Sequence, residues 1–235
     1  MARGILSCPL PLQAHATPEA QQRALAAAVQ RQLERAVRER GRAVLAVSGG
    51  RSPAPLFEAL SRLPLAWPRI TVTLVDERLV APTHRDSNEA LVRRHLLHGG
   101  AAAAPWRGLA AAGDADLQRC VARANAAVEP ADVVLLGMGE DGHIASLFPD
   151  AAGIEQALDP RAAAGYVGMR PRAAPHPRIS MNLAALLQAG QLLLSLRGAA
   201  KRRVLEAAWA DCAARLPVAR LLRLRDRGLD LHWAP

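Results

Sequence analysis

Ala43-Val44-Leu45-Ala46-Val47-Ser48-Gly49-Gly50-Arg51-Ser52-Pro53 is the stretch that decides the fold. Its first five residues are apolar without alternation, too short for a helix and suited to a strand buried on both faces. A serine and two glycines then turn the chain, and Ser52-Pro53 opens a helix. The same order of strand, polar loop and helix recurs in both directions. Upstream, Thr17-Pro18-Glu19 reads as an N-cap with proline at the first helical position, and Leu25, Val29, Leu33 and Val37 trace an amphipathic helix ending near Gly41. Downstream, Ile70 to Val75 is a β-branched strand and Ser87 caps a helix running to about Leu97. Ala101 to Ala112 is alanine- and glycine-rich and connective, and Asp114 caps a helix carrying Leu117, Val121 and Val128. Asp132 to Gly137 and Gln191 to Leu196 are two further buried strands. Ala199 to Ala213 is a helix with Val204, Leu205, Ala208 and Trp209 inward, and Leu229 to Trp233 is a closing strand. This alternation implies an α/β fold: a single domain over residues 1–235, with a largely parallel, doubly wound (Rossmann-like) sheet and helices on both faces.

Bulk properties narrow the function. The 235 residues are 51% hydrophobic, enough for one sizeable core. The net charge of +9 suits an anionic partner, but only 3% of residues are aromatic, which leaves few platforms for stacking bases, so nucleic acid is not expected. Cys8, Cys120 and Cys212 are odd in number and far apart, indicating neither a disulfide framework nor a zinc site. Pro9 and Pro11 break the N-terminal apolar run before it reaches signal-peptide length, and no stretch approaches the ~20 apolar residues of a membrane span. A cytoplasmic protein is expected, a monomer or small homo-oligomer.

In an open α/β sheet the loops after the strands gather at the carboxyl edge, where ligands bind. Four polar segments occupy those places: Ser48-Gly49-Gly50-Arg51-Ser52, Asp76-Glu77-Arg78, Gly139-Glu140-Asp141-Gly142-His143, and Arg197-Gly198 leading to Lys201. Glycines before a helix start let backbone N–H groups approach an anion. The segment is neither a Walker loop nor a dinucleotide fingerprint, so no nucleotide cofactor is expected. In the third segment, glycines and acids surround a histidine, the side chain whose ordinary pKa lies nearest neutrality. His143 is the candidate general base and Asp141 its orienting carboxylate. Asp141-x-His143 offers two ligands and no third or fourth nearby, so no metal is expected. Arg78, Arg178 and Lys201 are candidate phosphate contacts. His15, His84, His95, His98, His176 and His232 lack a comparable setting, and most of them read as surface residues. No G-x-S-x-G elbow supports serine-hydrolase chemistry.

These residues resemble the ordered motif set of the 6-phosphogluconolactonases: Ser48-Gly49-Gly50-Arg51-Ser52-Pro53, Asp76-Glu77-Arg78 with Ser87-Asn88, Gly137-Met138-Gly139-Glu140-Asp141-Gly142-His143-Ile144-Ala145-Ser146-Leu147-Phe148-Pro149, and Pro177-Arg178-Ile179-Ser180. The resemblance runs from about Leu45 to Lys201. It implies the fold shared with glucosamine-6-phosphate deaminases and cofactor-free hydrolysis of 6-phospho-D-glucono-1,5-lactone. His143 would activate water and Asp141 would support it. Ser48, Gly49, Gly50, Gly139, Arg78, Arg178 and Lys201 would hold the substrate and its phosphate, with Asp76 and Asn88 lining the site. Arg51 stands where the family usually has a small hydroxyl residue, and Ile144 and Ser180 stand where threonine is common.

Two other readings compete. A deaminase or isomerase of the same fold would also use a histidine after Asp-Gly. Ser146-Leu147-Phe148, however, replaces the Phe-Asn-Glu of the deaminases and removes a carboxylate. A non-catalytic sugar-phosphate-binding regulator would keep the crevice without turnover.

Overall fold

The computed structural model describes residues 11–50, 52–110, 116–172, 174–211, 213, 215–225 and 228–235. The chain enters through a short strand, β1 (Leu12–Ala14), and then α1 (Pro18–Arg40). Thr17 caps α1 by accepting the Ala20 N–H, and Gly41 ends it at φ 74°, the left-handed cap that favours glycine. β2 (Ala43–Val47) and α2 (Ala54–Ser61) follow, with Pro53 in the cap position. β3 (Ile70–Leu74) is separated by Val75 alone from β4 (Asp76–Arg78), and α3 (Asn88–His95) starts at its Ser87 cap. The stretch expected to be purely connective holds a 3-10 turn at Gly99–Ala103 and a two-residue edge strand, β5 (Trp106–Arg107).

α4 (Leu117–Ala126) is capped by Asp116, whose carboxylate accepts the Gln118 and Arg119 N–H groups; Asp114, expected as the cap, lies outside the described residues. Then come β6 (Val133–Leu136), α5 (Ile154–Ala157), β7 (Tyr166–Met169), β8 (Arg178–Met181) and α6 (Leu183–Leu187). The chain closes with β9 (Gln191–Arg197), α7 (Ala199–Ala210), α8 (Pro217–Leu224) and β10 (Leu229–Ala234). On α7, Leu205 and Ala208 are buried as expected, while Val204 and Trp209 are only partly covered. Cys120 is buried, its sulfur accepting from Arg123 Nη2 at 3.5 Å, and Cys8 and Cys212 lie outside the described residues.

Seven strands form one sheet in the order β1-β10-β9-β6-β2-β3-β5, and every pairing in it is parallel. Every residue of β2 and β6 is buried, as covering on both faces requires. The strand order reverses on either side of the β2–β6 pair, and a crevice opens at such a switch point.

A second, three-stranded antiparallel sheet, β4-β8-β7, was not expected. Its strands are only three or four residues long, and β4 is wholly charged, too little for a period to stand out, so they read as loop motifs. With one residue between β3 and β4, the chain leaves the parallel sheet at once and pairs Asp76 with Ser180 and Arg78 with Arg178. Among the described residues, no helix is long and apolar enough to cross a membrane.

Candidate active site

The carboxyl ends of β2, β3, β6 and β9 surround one cleft of about 250 Å³. Ser48, Gly49, Gly50, Asp76, Arg78, Asn88, Gly139, His143 and Lys201, all anticipated from sequence, line it. Asp141 and Arg178 do not line the cleft: Asp141 sits behind His143, and Arg178 packs beyond Phe148. Arg51 lies outside the described residues. The cations Arg78, Arg197 and Lys201 face one lining carboxylate, Asp76, so the cleft favours an anion. Lys201 lies in the first turn of α7, where the helix dipole adds positive potential.

The His143 loop is tied together at short range. His143 Nδ1 lies 2.6 Å from Asp141 Oδ1, which also accepts the His143 N–H at 3.2 Å. An ionised carboxylate only accepts hydrogen bonds, so Nδ1 carries the proton and Nε2 keeps its lone pair in the neutral ring. Burial pushes the Asp141 carboxyl up, but the hydrogen bond and charge of His143, with backbone N–H groups, outweigh it and hold the pKa below the usual range. Gly139 makes the packing possible: a Cβ there would stand 2.2 Å from His143 Nδ1 and 2.4 Å from Asp141 Oδ1. The Phe148 ring stacks on the imidazole with centroids 4.1 Å apart and planes 26° apart.

The other wall is a buried network. Glu77 is 1% exposed and accepts four hydrogen bonds, from the Arg78, Asn88 and Glu89 N–H groups and the Ser87 hydroxyl. It thereby satisfies N–H groups at the start of α3 and fixes Asn88. Asn88 Nδ2 donates to the Asp76 carbonyl at 2.7 Å, while its Oδ1 accepts from Arg78 Nη1 at 2.7 Å. Arg78 Nη1 also donates to the Asp86 carbonyl at 2.8 Å. Gly49 is needed for this approach, since a Cβ there would come within 1.8 Å of Asn88 Oδ1. Burial raises the Glu77 pKa despite its four partners. Burial and then the Arg78 charge pull the Arg178 pKa down from the ordinary guanidinium value. Arg178 Nε and Ser48 Oγ are buried polar atoms without a hydrogen-bond partner among the described residues.

Sequence reasoning missed several contributors. Ser146 Oγ donates to Asp76 Oδ2 at 2.5 Å, joining the histidine loop to the β4 wall. Gln22 and Ser195 also line the cleft, as does Arg197 of the fourth polar segment, whose Nε donates to the buried Gln21 at 3.3 Å. Gln21 interrupts the apolar face of α1 and is fully buried, donating to the Leu196 and His232 carbonyls. That interruption was the one local signal for it.

A family model described as glucosamine-6-phosphate isomerases/6-phosphogluconolactonase matches residues 16–233. A 6-phosphogluconolactonase of Pseudomonas aeruginosa is 44% identical over 229 residues, covering 95% of this chain and 94% of that protein. The crystal structure of a 6-phosphogluconolactonase from Shewanella baltica superposes with a TM-score of 0.88 at 35% identity, covering 99% of this chain and all of that one. A monomeric glucosamine-6-phosphate deaminase shares the fold, with a TM-score of 0.75 at 18% identity over 96% of this chain and 97% of its own.

Proposed function

The chain belongs to the glucosamine-6-phosphate isomerase/6-phosphogluconolactonase family, and we propose that it hydrolyses 6-phospho-D-glucono-1,5-lactone to 6-phospho-D-gluconate in the oxidative pentose phosphate pathway. The observation that carries this reading is the His143–Asp141 pair beside a cleft lined by Arg78, Arg197 and Lys201. Relatives above 40% identity bearing the 6-phosphogluconolactonase name support it.

The phosphate is held by the Ser48-Gly49-Gly50 loop with Arg78 and Lys201, and Arg178 reinforces that wall from behind. Binding remote from the reacting carbon orients the lactone carbonyl toward His143. His143 Nε2 takes a proton from water as the water oxygen bonds to the carbonyl carbon. Asp141 stabilises the imidazolium that forms, as orienting carboxylates do. The tetrahedral oxyanion is stabilised by loop N–H groups and nearby cationic charge. When the bond from the carbonyl carbon to the ring oxygen breaks, the imidazolium returns its proton to that oxygen. The new carboxylic acid then ionises and releases one proton to solution. The reaction calls for no cofactor, in a single cytoplasmic domain acting on a small molecule.

The shared fold keeps deaminase chemistry in view, but the Phe148 ring against the imidazole counts against it. Ring opening and proton movement between adjacent carbons require further placed acids and bases, and the position five residues after His143 is a hydrocarbon ring stacked on it. The test is a pH-stat assay with freshly made lactone, corrected for spontaneous hydrolysis, run beside an ammonia assay with glucosamine 6-phosphate. Acid release above the blank with no ammonia is expected. Acid release equal to the blank, or ammonia at a catalytic rate, would overturn the assignment.

A further inference from the structure

Two segments meet outside the cleft: residues 79–87, between β4 and α3, and residues 174–177, which lead into β8. The first brings His84 and Asp86, the second His176. His176 Nε2 lies 3.1 Å from Asp86 Oδ2, and His84 Nδ1 lies 3.8 Å from the same oxygen. One ligand atom from each of the three residues lies within 4.8 Å of the other two. The imidazoles meet edge to face, with centroids 5.6 Å apart. All three residues are partly buried, and none lines the cleft.

The backbone holds this cluster in place. The His84 N–H donates to the Ala81 carbonyl, the Ser87 N–H to the His84 carbonyl and the Leu79 N–H to the Pro177 carbonyl. His176 has φ 68°, a left-handed conformation that a side-chain-bearing residue keeps only where its surroundings impose it. Two imidazoles and one carboxylate form a donor set suited to borderline transition ions, with water completing the shell. Hard ions such as calcium and magnesium require a mainly oxygen shell that these residues do not supply. Metal–donor bonds of about 2.0–2.2 Å place tetrahedral donors roughly 3.3 Å apart. The distances to Asp86 bracket that value, and His84 Nδ1, which accepts the Asp86 N–H at 3.1 Å, gives up that hydrogen bond when the ring turns to ligate. Arg85 lies 3.9 Å from Asp86 Oδ1 but is almost wholly solvent-exposed and can turn away.

We propose that His84, Asp86 and His176 form a binding site for a zinc-like divalent transition ion, distinct from the His143 loop. Such an ion clamps the β4–α3 loop to the segment leading into β8. The Asp86 carbonyl accepts from Arg78, and His176 lies two residues before Arg178, so the clamp steadies the wall carrying both arginines. Its existence does not depend on the proposed reaction.

The test uses full-length protein stripped of metal by a chelator, then titrated with Co²⁺ by absorbance and with Zn²⁺ by calorimetry. One ion per chain is expected, with affinity falling at least roughly 10-fold in His84→Ala and in His176→Asn, since removing a ligand should cost no less than removing an outer partner. Asparagine tolerates the left-handed backbone at residue 176. His143→Asn should bind as wild type does. Zn²⁺ should also slow hydrogen exchange at residues 84–87 and 174–178 in wild type but in neither site variant. Absence of saturable binding, or binding lost in His143→Asn and kept in both site variants, would overturn the proposal.

Discussion

Glu77 and Asp141 are both carboxylates one step behind a cleft-lining side chain, yet they are built in contrasting ways. Glu77 is buried, is held by four uncharged donors and has its pKa raised by burial. Asp141 has 45% of its side chain exposed and a pKa held down because its histidine partner outweighs burial. The first fixes backbone and Asn88, which in turn grips Arg78. The second fixes one ring and its tautomer. The contrast separates a rigid wall suited to binding from a short, glycine-tied loop suited to proton transfer. Disturbing the loop should lower turnover, and disturbing the wall should weaken phosphate recognition or stability.

Asp141→Asn gives the largest effect among the supporting residues. An amide donating to Nδ1 favours the tautomer with the proton on Nε2, which cannot accept one from water. Turnover should fall roughly 10²-fold or more with KM little changed, the direction known for orienting carboxylates. Steady-state kinetics would check it, and a rise in KM at constant kcat would move Asp141 into the binding wall.

A smaller effect is expected from Arg78→Ala and Lys201→Ala, the two cations that line the cleft and are proposed to hold the phosphate. Each should lose about 1.5–3 kcal/mol of interaction with the phosphorylated lactone and much less with unphosphorylated gluconolactone. Ratios of kcat/KM for the two substrates measure this. Equal losses on both would make these residues structural.

The smallest effect concerns pH. Because the folded pKa of Glu77 is raised, its stabilising contribution is complete below the ordinary carboxylate pKa of 4.5 and is lost as pH rises through the folded value. Glu77→Gln removes that titration, so the stability advantage of wild type over the variant should shrink between pH 4.5 and 7, by no more than about 1.4 kcal/mol per pH unit. Urea unfolding at several pH values reads it, and an advantage growing with pH would contradict the burial argument.

The parallel sheet was legible because β2 and β6 are continuous apolar runs, β3 is β-branched and β9 is leucine-rich, each followed by a polar loop. The cleft lining was legible because those loops must share one edge. Glu77 was not, although Asp76-Glu77-Arg78 stood out, because its four partners appear only once β4 turns toward α3. The β4-β8-β7 sheet was not legible because its strands are three or four residues long and the alternation in Arg178-Ile179-Ser180-Met181 is too brief to mark a strand. His84 and His176 are 92 residues apart in sequence and became neighbours only through the pairing of β4 with β8.

The most direct test of the account is the pH-stat rate on 6-phosphogluconolactone for wild type and His143→Asn at equal concentration, each corrected for the blank. The variant should keep its fold by circular dichroism and the KM of wild type, with kcat reduced by roughly 10²-fold or more, the usual scale for a general base. A well-folded variant that hydrolyses the lactone at nearly the wild-type rate would contradict it.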